Sequence, residues 1–434
     1  MRFKRLVWDG SDPVALANEV RALQPALGEV SEPVAAIIEE VRRGGDEAVA
    51  EIEARVGGRE VAPDSIRVTD DTVRSAGSRL EPDLLAALET AAANIRAVAD
   101  AQLAEDRDLK LEQGQSIELR EVPVGSAGIY APGGAAVYPS TVLMGCIPAH
   151  AAGVRRIALA TPPGPGPQLV SDVILAAAAI GGATEVYAVG GAQAIAALAL
   201  GTERIEPVDV IAGPGNRYVQ EAKRQLTGEV GIDGIAGPSE LMVIAGDTAD
   251  PAWIALDLCA QAEHGSDGLL VAAAVETVIL DQIEESVAKL AAERDIGDVE
   301  MAVVQVSDTA AGVLLANAIA PEHLEILTED ADLLASTATT AGCVFVGENG
   351  ATAFGDYAAG SNHVLPTGGA GRFQGPLGPG AFRRRTATVQ MTQDAARELA
   401  PTVATLARAE GFPLHAESVE IRGRPAGEAE GRPD

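Results

Sequence analysis

Five histidines occur in the 434 residues, and four of them stand in polar, loop-like or helix-end settings: His264 in QAEHG, His323 in APEHLE, His363 in GDYAAGSNH and His415 in GFPLH. Imidazole is the side chain best suited both to proton transfer near neutral pH and to metal ligation. Gln261 and His264 stand three residues apart near the end of a predicted helix, DPAWIALDLCAQAEHG, so they share a face. Asp356 and His363 flank a glycine-containing turn that could fold both towards one point. An imidazole nitrogen, a carboxylate and an amide oxygen suit Zn²⁺ or a similar divalent ion without any thiolate. Each feature also has a plain reading, a helix-surface pair for Gln261 and His264 and an Asx turn for Asp356.

Glu322 and His323 put a carboxylate and an imidazole side by side after Pro321, at what reads as a helix start. Such a pair offers two bases of different strength; the alternative is an acidic first helical turn in which the histidine is incidental. His150, in IPAHAAG, has no acidic or polar cluster around it and reads as structural. Three glycine-rich segments, GIYAPGGAAVYPST, GGAQAIAALA and AGPGNRYV, each follow or abut a predicted strand. They could bring backbone amides to a diphosphate at helix N-termini. None is a G-x-G-x-x-G, so tight turns remain the other reading.

The elements that must position these groups are those of an α/β protein. The first third is amphipathic helix, in DPVALANEVRALQPAL, EPVAAIIEEVRRGGDEAVAEIEARV and a long segment from Glu81 to about Ala104. From residue 119 onward, short β-rich runs end in Gly or Pro and lead into small-residue helices. Three such units, starting at RRIALATPP, TEVYAVGG and VDVIAGPGN, predict a parallel sheet with crossover helices. Four further runs, LMVIAG, GLLVAAA, MAVVQV and CVFVG, predict a second sheet. The expected layout is an N-terminal extension over 1–24, a first α/β domain from 25–126 with 240–383, an inserted α/β domain over 127–239, and a C-terminal helical segment over 384–434 ending in a disordered tail.

Composition narrows the function. With 63 acidic against 32 basic residues the net charge is -31, which would repel phosphate backbones and anionic lipid, so neither nucleic acid nor membrane is an expected partner. Three widely spaced cysteines, Cys146, Cys259 and Cys343, argue against a disulfide framework and for a reducing compartment. The start MRFKRLVWDG lacks a signal-peptide core. The expected location is the cytoplasm.

Taken together, GIYAPGG, VGGAQAIAALA, GPGN, GPSE, QAEHG, APEHLE, GDYAAGSNHVLPT and a late Glu-x-x-x-x-His resemble, in order and over nearly the whole chain, the histidinol dehydrogenase family. The resemblance implies two Rossmann-like domains of the aldehyde-dehydrogenase-like, incomplete Rossmann kind, with parallel sheets and small N- and C-terminal helical extensions. It implies one Zn²⁺ per subunit held by Gln261, His264, Asp356 and His415, the last supplied by the partner in a homodimer with shared active sites. Glu322 and His323 match the catalytic bases. Ser239, Gln261, His264, His323, Asp356, Glu410 and His415 match the substrate contacts, and Tyr130, Gln193 and Asn216 match the positions that touch NAD⁺. The implied reaction is the four-electron oxidation of L-histidinol through L-histidinal to L-histidine with two NAD⁺, at the end of histidine biosynthesis.

The chain departs from the family pattern at Val154, where many members carry cysteine, which weakens any covalent thiohemiacetal; Cys146 reads as a small buried residue instead. GRFQGPLGPGAF is richer in Gly and Pro than the family's version, and the tail beyond His415 matches nothing. Two other readings stay open: a paralogous zinc and NAD enzyme of another amino alcohol or diol, of the sulfopropanediol type, and a zinc-bound binding protein without turnover. A carboxylate at Glu410 suits a cationic imidazole-amine and opposes a sulfonate.

Overall fold

The structure, a computed structural model, describes residues 1–25, 28–133, 137–165, 168–294, 296–297 and 299–424. The end of the GIYAPGG segment and the tail from 425, expected to be disordered, lie outside the described residues. The chain forms two compact units, one of Met1–Gln102 with Val124–Phe382 and one of Leu103–Pro123 with Arg383 onward.

The larger unit holds two parallel sheets. Five strands lie in the spatial order Glu185–Ala188, Arg156–Thr161, Ser126–Tyr130, Val210–Ala212, Gly231–Ile232. Six more lie in the order Arg2–Val7, Glu300–Gln305, Leu269–Ala274, Glu240–Ala245, His323–Leu327, Cys343–Val346. The α/β class and parallel sheets expected from the sequence are present. Runs such as ELMVIA and LLVAAA are buried at every position, as strands covered by helices on both faces require. Alanine-rich helices pack close because their side chains are small; Gly191–Leu200 is buried from Ala192 to Ala199.

Three placements differ from the sequence reading. Glu322 and His323 do not start a helix: His323–Leu327 is a fully buried strand between two others. Proline followed by an acidic residue is a helix-start signal, but burial of Leu324, Ile326 and Leu327 in a sheet core outweighs it. The helices Ser31–Ile52 and Pro82–Ala101 pack on the five-stranded sheet, sharing cores with residues of 127–230; an amphipathic stripe demands a partner without naming which sheet supplies it. Residues Arg2–Val7, finally, form an edge strand of the six-stranded sheet, while Leu16, Ala17 and Val20 of helix Pro13–Arg21 join its core.

The smaller unit is an antiparallel sheet, Arg383–Gln390, Ser116–Pro123 and Arg107–Lys110, with the helices Gln393–Ala409 and Pro413–Gly423. The last two match the expected C-terminal helix pair.

Candidate active site

In each large sheet the chain winds outward in one direction and then in the other, which leaves a switch point. In the five-stranded sheet it falls between Ser126–Tyr130 and Val210–Ala212, and the carboxyl ends of such strands form a natural ligand crevice. Here Pro132, Pro214, Gly215 and Asn216 face a cavity of about 1010 Å³. The crevice is possible because Gly213 has φ +124° and a β-carbon there would stand 2.1 Å from the Tyr130 carbonyl oxygen. Asn216 caps helix Arg217–Leu226, its Oδ1 accepting the Tyr218 and Val219 amides at 3.0 and 3.2 Å.

In the six-stranded sheet the switch falls between Glu240–Ala245 and His323–Leu327, and there the amino ends of the strands meet the same cavity. Ser239, Gln261, His264, Glu322, His323, Asp356 and His363 line it. Helix Pro251–Ala262, capped at its start by Asp250, delivers Gln261 in its last turn and His264 just beyond.

Glu322 and His323 are held by the backbone of a single residue. The Glu240 amide donates to Glu322 Oε2 at 2.9 Å, and the Glu240 carbonyl accepts from His323 Nδ1 at 3.1 Å. This leaves His323 Nε2 directed to Asp356 Oδ1 at 3.3 Å, while Glu322 Oε2 lies 3.6 Å from Nδ1. Burial disfavours a charged imidazole, but the carboxylates of Glu322 and Asp356 outweigh it and push His323 up to about 9. Burial likewise pushes the Glu322 carboxyl up to about 7, against the pull of His323. Burial would raise Asp356 too, yet its hydrogen bond and charge pairing with His323 hold it below the usual range. The result is a buried imidazole and carboxyl of raised and different basicity at one end of a cavity, the arrangement that general acid–base chemistry needs.

His363 is anchored on both ring nitrogens, Nδ1 to the Asp356 carbonyl at 2.8 Å and Nε2 to Thr141 Oγ1 at 3.0 Å. It thus meets the backbone of Asp356 rather than its carboxylate. Thr141 was not singled out from the sequence; its place in the first turn of a helix, as the last residue of the segment GIYAPGGAAVYPST, was the available signal.

The other expected site residues fall elsewhere. Tyr130 and Gln193 are 3% and 2% exposed and brace the Gly190–Gly191 turn: the Tyr130 hydroxyl accepts the Gly191 amide at 3.1 Å, and Gln193 Nε2 donates to Glu53 Oε2 at 2.9 Å. Glu53 also accepts the Gly190 amide at 3.0 Å, and nothing in its local sequence marks it for that role. Glu410 and His415 belong to the smaller unit, just after helix Gln393–Ala409 and in the first turns of helix Pro413–Gly423, and both are exposed. Cys146 is fully buried, with its thiol pushed up to about 12 by desolvation, and Val154 is buried as well.

Among the described residues no three His, Cys, Asp or Glu side chains gather closely enough to hold a metal. The cavity nevertheless carries a partial donor set. His264 and Asp356 are close enough for their charges to interact. The buried Gln261 amide nitrogen has no hydrogen-bond partner to hold the amide in that orientation, so turning the amide over, which would present its oxygen to an ion, breaks no bond made by that nitrogen. This partial set fits a divalent ion that takes at least one further ligand from outside the cavity.

Parallel sheets that meet in one cavity, with a buried acid–base pair at the end of one of them, define an α/β enzyme. Residues 22–423 match the sequence profile of histidinol dehydrogenase. The chain is 43% identical over 405 residues to histidinol dehydrogenase of Rhizobium meliloti (strain 1021), covering 91% of this chain and 92% of that one. It is 44% identical over 406 residues to that of Ruegeria pomeroyi, with the same coverages. The crystal structure of histidinol dehydrogenase from Elizabethkingia anophelis superposes with a TM-score of 0.89 at 30% identity, covering 97% of this chain and 98% of that one. The chain belongs to the histidinol dehydrogenase family, and is accordingly an oxidoreductase of histidine biosynthesis.

Proposed function

We propose that the protein oxidises L-histidinol to L-histidine in two NAD⁺-linked steps, through L-histidinal, with one Zn²⁺ per subunit and an active site shared across a homodimer. The observation that carries this reading is the buried Glu322–His323 pair facing Asp356, in a cavity that also reaches the Asn216 crevice. Gln261, His264 and Asp356 would hold the metal together with His415 of a second copy. When bound, the zinc would supply a Lewis-acidic anchor for the amine and imidazole nitrogens of the substrate, and NAD⁺ would accept hydride.

The chain's own residues do the rest. His323 takes the hydroxyl proton of the alcohol on Nε2, since Nδ1 is committed to the Glu240 carbonyl. Glu322, raised by burial, then acts as base towards the water that attacks the aldehyde. Ser239 and Glu410 contact the substrate, and the Glu410 carboxylate favours a cationic imidazole-amine. Asn216 lies on the cofactor side of the cavity, with Tyr130 and Gln193 supporting the neighbouring turn. Among the described residues no helix is long and apolar enough to cross a membrane, in keeping with a cytoplasmic enzyme.

The test is the NADH formed per molecule of limiting L-histidinol, with Zn²⁺ supplied and NAD⁺ in excess. Two equivalents with histidine as product are expected. No NADH from histidinol, but some from another amino alcohol or diol, would move the chain to a paralogous activity.

A further inference from the structure

We propose that Arg21 and Glu240 form a positioning pair that holds Glu322 and His323 in their working arrangement. Glu240 is fully buried, and its backbone is what binds both members of the acid–base pair. Its side chain is fixed just as firmly: Oε1 accepts from Arg21 Nη1 at 2.9 Å, Oε2 from Arg21 Nη2 at 3.2 Å, and Oε1 also from the Gly368 amide at 3.0 Å. The two-pronged geometry fixes direction as well as distance, which a point charge cannot do.

Arg21 acts on the second strand too. Its guanidinium donates to the carbonyls of Ile319, at 3.1 Å from Nε, and Ala320, at 3.3 Å from Nη2. These close helix Thr309–Ile319, where a cation is favoured by the helix dipole. Ala320 is a non-glycine residue in the left-handed region, with φ 51°, and it is followed directly by Pro321, Glu322 and His323. A residue in that conformation persists only where its surroundings hold it. One guanidinium therefore ties the backbone entering the Glu322–His323 strand to the residue whose amide and carbonyl grip those two side chains. Arg21 touches neither reacting group, and it lies some 220 residues from Glu240 in sequence.

The inference rests on the acid–base roles proposed above, so the test separates the two. Arg21→Lys keeps the charge and loses the fork; the expected result is a fall in kcat for histidinol oxidation of about tenfold or more, with KM changed by less than about threefold. Arg21→Ala should fall further and recover in part with added guanidinium ion. With only five histidines in the chain, ring-labelled protein also allows the His323 resonance to be followed at one fixed pH. It should move in Arg21→Lys and return towards the wild-type position with guanidinium in Arg21→Ala. A lowered Tm with kcat within twofold of wild type and an unmoved His323 resonance would reduce the pair to a structural brace and overturn the proposal. If the wild-type protein does not oxidise histidinol, the functional reading fails, and the resonance alone still decides whether Arg21 positions His323.

Discussion

The two sheets of the larger unit face the same cavity with opposite ends. The five-stranded sheet presents carboxyl ends, so the helices that follow its strands bring their N-termini to the crevice, at Tyr138–Thr141 and at Asn216–Arg217. The six-stranded sheet presents amino ends, so a helix that precedes one of its strands brings its C-terminus to the cavity, at Gln261–His264. Helix N-termini favour anions and C-termini favour cations. Strand direction alone thus makes one wall suited to a diphosphate and the other to a metal ion or an amine, before any side chain is chosen. The side chains reinforce the division on the second wall, where Glu322 and Asp356 face the cavity; on the first, Arg217 faces it while Arg224 is paired with Glu221.

If the second wall is the one that takes a cation, stripping the metal with a chelator should abolish turnover entirely while circular dichroism and Tm change little, because the sheet cores do not depend on those side chains. Turnover retained in the stripped enzyme would break the comparison. His323→Asn should slow the alcohol step by about a thousandfold, and Glu322→Gln should spare it while slowing the aldehyde step by about a hundredfold, as read from single turnovers started with histidinol and with histidinal. Equal loss in both half-reactions would show that the wall has no internal division of labour.

The pH profile sharpens the same point. Without metal, Glu322 and Asp356 push His323 up to about 9; a metal ion on Asp356 withdraws part of that push, so the rate of the alcohol step should climb with pH and level off at or below about 9. Glu322→Gln removes the anion that most strongly raises His323, and the inflection should move to lower pH. A fixed inflection would mean that another group controls the proton.

Most of the second wall was legible in the sequence because its signals are local. Gln261 and His264 share a helix end, and Glu322 and His323 are adjacent, so their types and spacing survive without knowledge of the fold. What was not legible depends on tertiary partners. The Glu322–His323 segment looked like a helix start because proline and glutamate say so locally, while its burial between two strands is decided by residues about 80 and 20 positions away. Glu53 and Arg21 carry no motif, and Glu240, though it closes the GPSE motif, gives no local sign of what its backbone and side chain hold; each matters through what it meets in the fold. The N-terminal helices were recognisable as amphipathic, but not which sheet they cover. Strand Arg2–Val7 went unseen because an edge strand needs only half the apolar pattern of a central one.

The first wall yields smaller effects. Asn216→Ala removes a helix cap and a cavity-facing amide; KM for NAD⁺ should rise about fivefold with kcat little changed, and stability should fall by ~1 kcal/mol. A change in kcat with constant KM would place Asn216 with the reacting groups instead.

The smallest effect belongs to Cys146, which lies in helix Pro139–Ala151 on that same wall. Its thiol is fully buried and pushed up to about 12, so the nucleophilic thiolate is almost absent at any pH the enzyme would meet. Val154, buried nearby in the same core, has no nucleophile at all. If the reaction is confined to the amino-end wall, Cys146→Ala should leave both half-reactions within twofold of wild type and cost only roughly 1 kcal/mol of stability for the lost sulfur contacts. Alkylating reagents should likewise leave Cys146 unmodified in the folded protein, as peptide mass mapping would show. A selective loss of the aldehyde step in Cys146→Ala would put a covalent intermediate on the carboxyl-end wall and erase the separation of binding from chemistry that the two strand directions create.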